Sequence, residues 1–263
     1  MKNALLIIDA QNDFCLPTGS LSVPGADKDT ERLAEFIKAN KEKIDYIGMT
    51  QDSHHPIDIS HPSFWQDKDG NFPNPFTLIT SKDVDDGVWT PRFYPNEAIK
   101  YIHELESQGE FPHCIWPEHC VIGTSGAAII NSVMDAVIDW TKEGNFYGVF
   151  TKGTYPMTEH FGAFRANIPV MNRPETQINQ SLIETLEKYD NIYISGEAKS
   201  HCLCSTINQM IEISPDLLKK VILLEDTTSD VPGFEDNSIN IFEDAKKLGM
   251  RFGVSTIKII NKK

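Results

Sequence analysis

Ala4-Leu5-Leu6-Ile7-Ile8-Asp9 opens the chain with an apolar run that does not alternate, the pattern of a strand buried on both faces of a parallel sheet, and it ends on a carboxylate. Two later runs are also strand-like. Phe146-Tyr147-Gly148-Val149-Phe150-Thr151 leads into Lys152, and Ile192-Tyr193-Ile194-Ser195-Gly196 is followed shortly by Cys202. In an open α/β sheet, ligands bind in the crevice beyond the carboxyl ends of the strands. A carboxylate, an ammonium and a thiol from distant positions are therefore expected to meet there. That combination points to a cysteine nucleophile whose reactivity is set by neighbouring charge.

Outward from these runs the chain alternates. Strands are expected at 3–9, 45–50, 146–151, 191–196, 219–225 and near 251–256, and helices at 27–40, 95–107, 126–142, 176–189, 202–213 and 236–248. This rhythm predicts a three-layer α/β/α fold around a mainly parallel six-stranded sheet. Leu5–Ile8 and Val221–Leu224 are apolar throughout and are expected to be central. Two stretches break the rhythm, 51–94, rich in Asp, Pro, His and aromatics, and 153–175, with Gly153, Pro156, Pro169 and Pro174. Connections this long are more often functional than idle, so the first is read as a metal-bearing excursion and the second as part of a substrate cover. No Pro/Gly/Ser linker divides the 263 residues, and a single domain over 1–263 with these two insertions is expected.

A formal charge of -14 repels phosphate backbones and anionic lipid surfaces, which leaves a small molecule as the expected partner rather than nucleic acid or membrane. No apolar run approaches membrane-spanning length, and Met1-Lys2-Asn3 leads directly into a strand pattern, so a cytoplasmic protein is expected. Cys15, Cys114, Cys120, Cys202 and Cys204 form an odd set without paired spacing, which argues against a disulfide framework and for free thiols.

Asp9, directly after a buried strand, is expected to be desolvated and its pKa raised, as a general base requires; read alone, it equally well caps the following turn. Lys152 read alone is an ordinary solvated lysine, and only its company with Asp9 and Cys202 gives it a role. Cys202 lies where a glycine-containing turn enters an amphipathic helix. The positive end of the helix dipole there favours thiolate, and free amides can receive an oxyanion. Cys204 is read as a small buried hydrophobe. His201 is adjacent to Cys202, but neighbours on a helix do not face each other, so Asp9 ranks above it as base.

Gln51-Asp52-Ser53-His54 places a carboxylate and an imidazole on one face of extended backbone, and Trp116-Pro117-Glu118-His119-Cys120 offers a second imidazole. One carboxylate and two imidazoles suit zinc, iron(II) or manganese better than calcium or magnesium. His55, His61 and His113 are more readily read as loop residues without an ion, His61 being the strongest spare ligand. A zinc knuckle of His113, Cys114, His119 and Cys120 lacks the usual paired spacing.

With these segments assembled, the chain resembles the nicotinamidase/isochorismatase-like cysteine hydrolase superfamily, nearest to its nicotinamidases. The matching pieces are Leu5 to Phe14, Thr50 to His54, Trp116 to Val121, Phe150 to Gly153 and Gly196 to Cys202, in the family's order. The resemblance implies a triad of Asp9, Lys152 and Cys202, and a divalent metal held by Asp52, His54 and His119. It further implies a cis peptide before Ala198, an oxyanion hole from the Ala198 and Cys202 amides, and substrate contacts from Phe14, Trp116 and His201. The activity it implies is hydrolysis of nicotinamide through a thioester on Cys202, isochorismatases proper lacking this cysteine. Relatives also cleave carbamoyl and ureido compounds, and only an Arg165 that faces the pocket would pair with a substrate carboxylate, so its role is left open. The segment between His61 and His113 is longer than in compact bacterial relatives. A catalytically idle ligand-binding relative is the rival of another class. A papain-like Cys-His enzyme is disfavoured because no histidine follows His201. Metal identity and a homo-oligomeric state are left open.

Overall fold

The computed structural model describes residues 1–260. In chain order, β1 (Asn3–Ile8), the one-turn α1 (Asn12–Cys15), α2 (Ala26–Asn40) and β2 (Tyr46–Asp52) come first. The excursion that follows carries β3 (Trp65–Gln66), β4 (Leu78–Ile79), α3 (Ser81–Asp85), β5 (Thr90–Pro91), α4 (Pro95–Ser107) and β6 (His113–Cys114). Then come α5 (Asn131–Thr141), β7 (Tyr147–Lys152), α6 (Gln180–Leu186), β8 (Asn191–Gly196), a π-helical turn (Lys199–Leu203), α7 (Cys204–Ile213), α8 (Pro215–Leu218), β9 (Val221–Leu224), α9 (Asp236–Lys247) and β10 (Arg251–Gly253). Among the described residues no helix is long and apolar enough to cross a membrane.

Six strands form one sheet in the order β10-β9-β8-β1-β2-β7, and every pairing in it is parallel. The period of two along β1 sorts its side chains between two cores. Leu5 and Ile7 face the layer containing Leu33 and Ile37 of α2 and Val133 and Trp140 of α5. Ala4, Leu6 and Ile8 face the layer of Leu182 in α6, Ile207 in α7 and Phe242 in α9. This is the three-layer α/β/α arrangement that the alternating pattern predicts. A third core under the excursion joins Phe64, Trp65, Tyr101 and Ile102 to Met157 and Ile168, so the two irregular stretches pack on each other.

Four expectations shift. The helix expected over 126–142 starts at Asn131, because Gly126 is pressed against Asp13 so closely that a Cβ there would lie 2.1 Å from the carboxylate, and Ile129 bridges Gln11. The helix expected over 176–189 is confined to Gln180–Leu186, where the Asn179 side chain caps the Leu182 N–H. The last strand is short, Arg251–Gly253. Val221–Leu224, although fully buried, is next to the edge strand rather than at the sheet's centre, since helices cover both its faces without placing it centrally.

Candidate active site

The chain runs from β1 outward through β2 to β7, then returns to the other side of β1 to build β8, β9 and β10. That reversal opens a crevice beyond the ends of β1 and β8, the switch point where α/β sheets bind ligands. The register sets what stands there. Asp52 and Lys152 are directly paired between β2 and β7, and Ile8, just before Asp9, is paired with Gly196. Gly196 has a φ of 120°, and a Cβ on it would lie 1.9 Å from the Ile8 carbonyl oxygen, so only glycine lets the two strand ends approach this closely.

Lys152 Nζ lies 2.9 Å from Asp9 Oδ2, 3.2 Å from Asp52 Oδ1 and 3.7 Å from Cys202 Sγ, and donates to the His160 carbonyl at 2.9 Å. Asp9 Oδ1 accepts from Thr50 Oγ1 at 2.6 Å. All three side chains are buried, and the ammonium is the hub of the cluster. Lys152 is therefore far from the solvated residue its isolated reading suggests. Burial opposes its charge, but Asp52, Asp9 and Cys202 outweigh this and hold its pKa well above the usual lysine value. Burial raises the Asp9 pKa, with the Lys152 charge pulling partly against it. Burial also pushes the Cys202 thiol well above its ordinary range, Lys152 opposing and Asp9 and Asp52 adding to the rise. Desolvation thus works against the preference for thiolate that a helix terminus gives, and it outweighs the one nearby cation. Cys202 sits inside the π-helical turn, a residue short of α7, and not at the first position of a regular helix.

Asp52, His54 and His119 gather into a buried cluster whose donor atoms lie within 4.8 Å of one another. His54 Nε2 is 3.0 Å and His119 Nε2 3.7 Å from Asp52 Oδ2. The other ring nitrogens are already engaged, His54 Nδ1 with Asp58 Oδ2 at 3.1 Å and His119 Nδ1 with the Pro117 carbonyl at 2.8 Å. Anchoring Nδ1 leaves Nε2 as the donor on both rings, which is how proteins prepare imidazoles for a metal, so the residues fit a divalent ion. Asp52 is held well below the usual carboxylate range: burial raises it, but His54 and Lys152 more than offset this. His61 is also buried, its ring 5.2 Å from that of His54 and 5.5 Å from that of His119, and its Nε2 has no partner among the described residues. Burial and the two neighbouring imidazoles depress its pKa to about 4, so it stays neutral. His113 bonds the Ile59 carbonyl instead and packs between Trp65 and Tyr101.

A pocket joins the two clusters, walled by Phe14, Trp116, Phe161 and His201, with Cys202, Ala198, Asp52 and His119 reaching it. A larger groove beside α2, lined by Lys28, Glu31, Arg32 and Glu35, contains none of these groups. The peptide before Ala198 is cis. The Ala198 carbonyl accepts from the His201 and Leu203 amides, whereas its own N–H finds no acceptor among the described residues. His201 Nδ1 is engaged by Ser200 Oγ at 3.0 Å, and burial lowers its pKa to about 4. Its ring joins an aromatic cage with Trp116 and Phe234 at 5.1 and 5.0 Å, which suits a wall residue better than a base.

The sequence leaves the role of Arg165 open. Arg165 does not line the cavity; it is taken up by Glu212 at 3.0 Å, Glu110 at 3.6 Å and the Ala166 and Asn167 carbonyls. Sequence reasoning missed Asp58. The rule that metal-binding imidazoles carry a carboxylate partner could have found it. Glu159, which the sequence marks in the 153–175 stretch without a role, reaches the cavity, and burial raises its pKa to about 8.

Fold and site together define a parallel α/β protein with a buried Cys-Asp-Lys cluster beside a metal-donor set. No protein-family model matches the chain. It is 27% identical over 225 residues to the nicotinamidase of Saccharomyces cerevisiae, covering 85% of this chain and 86% of that one. The yeast nicotinamidase bound to the inhibitor nicotinaldehyde superposes with a TM-score of 0.66 at 22% identity, over 96% of this chain and 99% of that one. The pyrazinamidase of Pyrococcus horikoshii in complex with zinc gives 0.56 at 20%, over 97% and 99%. The chain is thus similar in sequence to curated nicotinamidases and has the fold of the solved ones.

Proposed function

We propose that the protein is a metal-containing amidohydrolase that converts nicotinamide and water to nicotinate and ammonia, with Asp9, Lys152 and Cys202 as its catalytic residues. One observation carries the reading. The cavity has the Cys202 sulfur and the Asp52 and His119 donors on the same walls, with Phe14, Trp116, Phe161 and His201 around it. A flat neutral ring with an amide at one end and a nitrogen donor at the other satisfies all three features. The known similarity to nicotinamidases agrees.

In this mechanism Asp9 takes the Cys202 proton as the sulfur attacks the amide carbon, since the resting group is a thiol. The Ala198 and Cys202 amides receive the oxyanion. Asp9 returns the proton to the amide nitrogen as the C–N bond breaks, releasing ammonia and leaving a thioester. Water, deprotonated by Asp9, then attacks the thioester carbon; nicotinate leaves and the sulfur recovers its proton. Lys152 stays charged throughout and keeps Asp9 and the developing thiolate in register. Asp52, His54 and His119 would hold a divalent ion, zinc, iron(II) and manganese all suiting that donor set, and it would supply Lewis acidity toward a nitrogen donor of the substrate. His61, the neutral ring next to both histidines, is the reserve donor.

A carboxylated amide fits less well, because no arginine or lysine is among the residues lining the cavity and Arg165 is engaged elsewhere. A cytoplasmic setting agrees with five free, buried cysteines. Ammonia release from nicotinamide by the purified, metal-loaded protein tests the reading. Turnover no faster than that of a Cys202→Ala variant sinks it.

A further inference from the structure

Between Gly196 and Ala198, in the turn that leads to Cys202, stands a carboxyl group that the reaction above does not use. Glu197 is fully buried and does not line the cavity. It points instead toward the loop after β9 and the first turn of α2. There its Oε2 accepts from the Ser229 N–H at 3.1 Å, while the Ser229 carbonyl accepts from the Lys199 N–H at 2.8 Å and Ser229 Oγ donates to Asp29 Oδ2 at 2.5 Å. Every polar group of Ser229 is thus used to join three elements. The same loop continues to Val231, which walls the cavity and donates its N–H to Ser200 Oγ, the partner of His201.

We propose that Glu197 is a positioning residue: through the Ser229 N–H, and with the Ser229 hydroxyl on Asp29, it clamps the 197–199 turn to the 227–231 loop and so aims the free Ala198 N–H and seats the Val231 and His201 wall. Glu197 Oε1 has no hydrogen-bond partner among the described residues, and neighbouring carboxyl groups in one dry site coexist when one of them keeps its proton. Burial, and next the Asp29 carboxylate, favour the neutral form of Glu197, with Asp230 adding to the effect. The charged groups around the pair are Arg32, which holds Asp29, and Lys199, which holds Asp230. An amide reproduces this role, since glutamine carries the acceptor for Ser229 N–H and adds no charge to the dry site. An alanine does not.

The inference rests on the proposed amide hydrolysis for its kinetic consequence, but the clamp itself has a readout that needs no substrate. Wild type, Glu197→Gln, Glu197→Ala and Ser229→Ala are compared by peptide-resolved hydrogen exchange over 196–202 and 226–232, and by kcat and KM for ammonia release from nicotinamide. Glu197→Ala is expected to speed exchange about ten-fold in those two segments alone and to lower kcat about ten-fold or more with KM within about three-fold, as for a mis-aimed oxyanion donor. Glu197→Gln is expected to restore both readouts to within about three-fold of wild type, and Ser229→Ala to fall between. Should Glu197→Ala not fold, Ser229→Ala against Glu197→Gln carries the same contrast. Wild-type exchange in both segments of Glu197→Ala, or of Ser229→Ala, overturns the clamp. Protection lost with kcat retained overturns the positioning role. Absent nicotinamide turnover in wild type counts against the amidohydrolase reading, while the exchange data still decide the clamp.

Discussion

The Cys202 sulfur lies 3.7 Å from an ammonium and is nevertheless held as a thiol, because desolvation and two carboxylates outweigh that cation. Lys152 is the residue on which this balance depends. Replacing it by methionine leaves Asp9 and Asp52 as buried carboxylates without their cation, and the expected loss is about 3–5 kcal/mol of stability, measured by urea unfolding. Glu197 titrates in the opposite sense to an ordinary paired carboxylate. Its folded pKa lies above the unfolded value, so its contribution to stability is complete below the ordinary carboxylate range and is lost as pH rises toward the folded pKa. The unfolding free energy of wild type relative to Glu197→Gln should accordingly fall from about pH 4 upward and then level off. A difference that rises with pH in that window contradicts the assignment.

At the scale of elements, the site depends on strand ends meeting without side chains between them. Gly196→Ala would drive a methyl into the Ile8 backbone at a φ of 120°, and β1 and β8 cannot both keep their places. The expected cost is about 4 kcal/mol or more, read as a large drop in thermal midpoint. The connection that brings His119 back beneath the end of β2, where His54 bridges Val121, completes the metal-donor set. His119→Ala should therefore bind less than one equivalent of zinc after dialysis, as counted by elemental analysis, whereas His113→Ala, whose ring is committed to the Ile59 carbonyl and its aromatic neighbours, should keep its metal. Equal metal content in the two variants would refute the donor set.

For the whole molecule, the chain's own pattern determined the layers, the strand positions and which residues lie at strand ends, because periodicity and residue type are local properties that burial reads directly. Asp9 and Lys152 were legible because each follows a strand-like run, Cys202 because it stands where a turn enters an amphipathic helix, and Asp52 from its alternation with His54. The boundaries at 126–130 and 176–179 were not, since close packing of Gly126 on Asp13 and the Asn179 cap are decided by contacts outside the segment. Only the tertiary structure put Val221–Leu224 beside the edge strand, diverted Arg165 to Glu110 and Glu212, and brought Asp58, Glu159 and Glu197 into account. It also set the burial that raises the pKa of the Cys202 thiol. A pKa depends on distances to charges and on how much water is excluded, and neither quantity exists until the chain has folded.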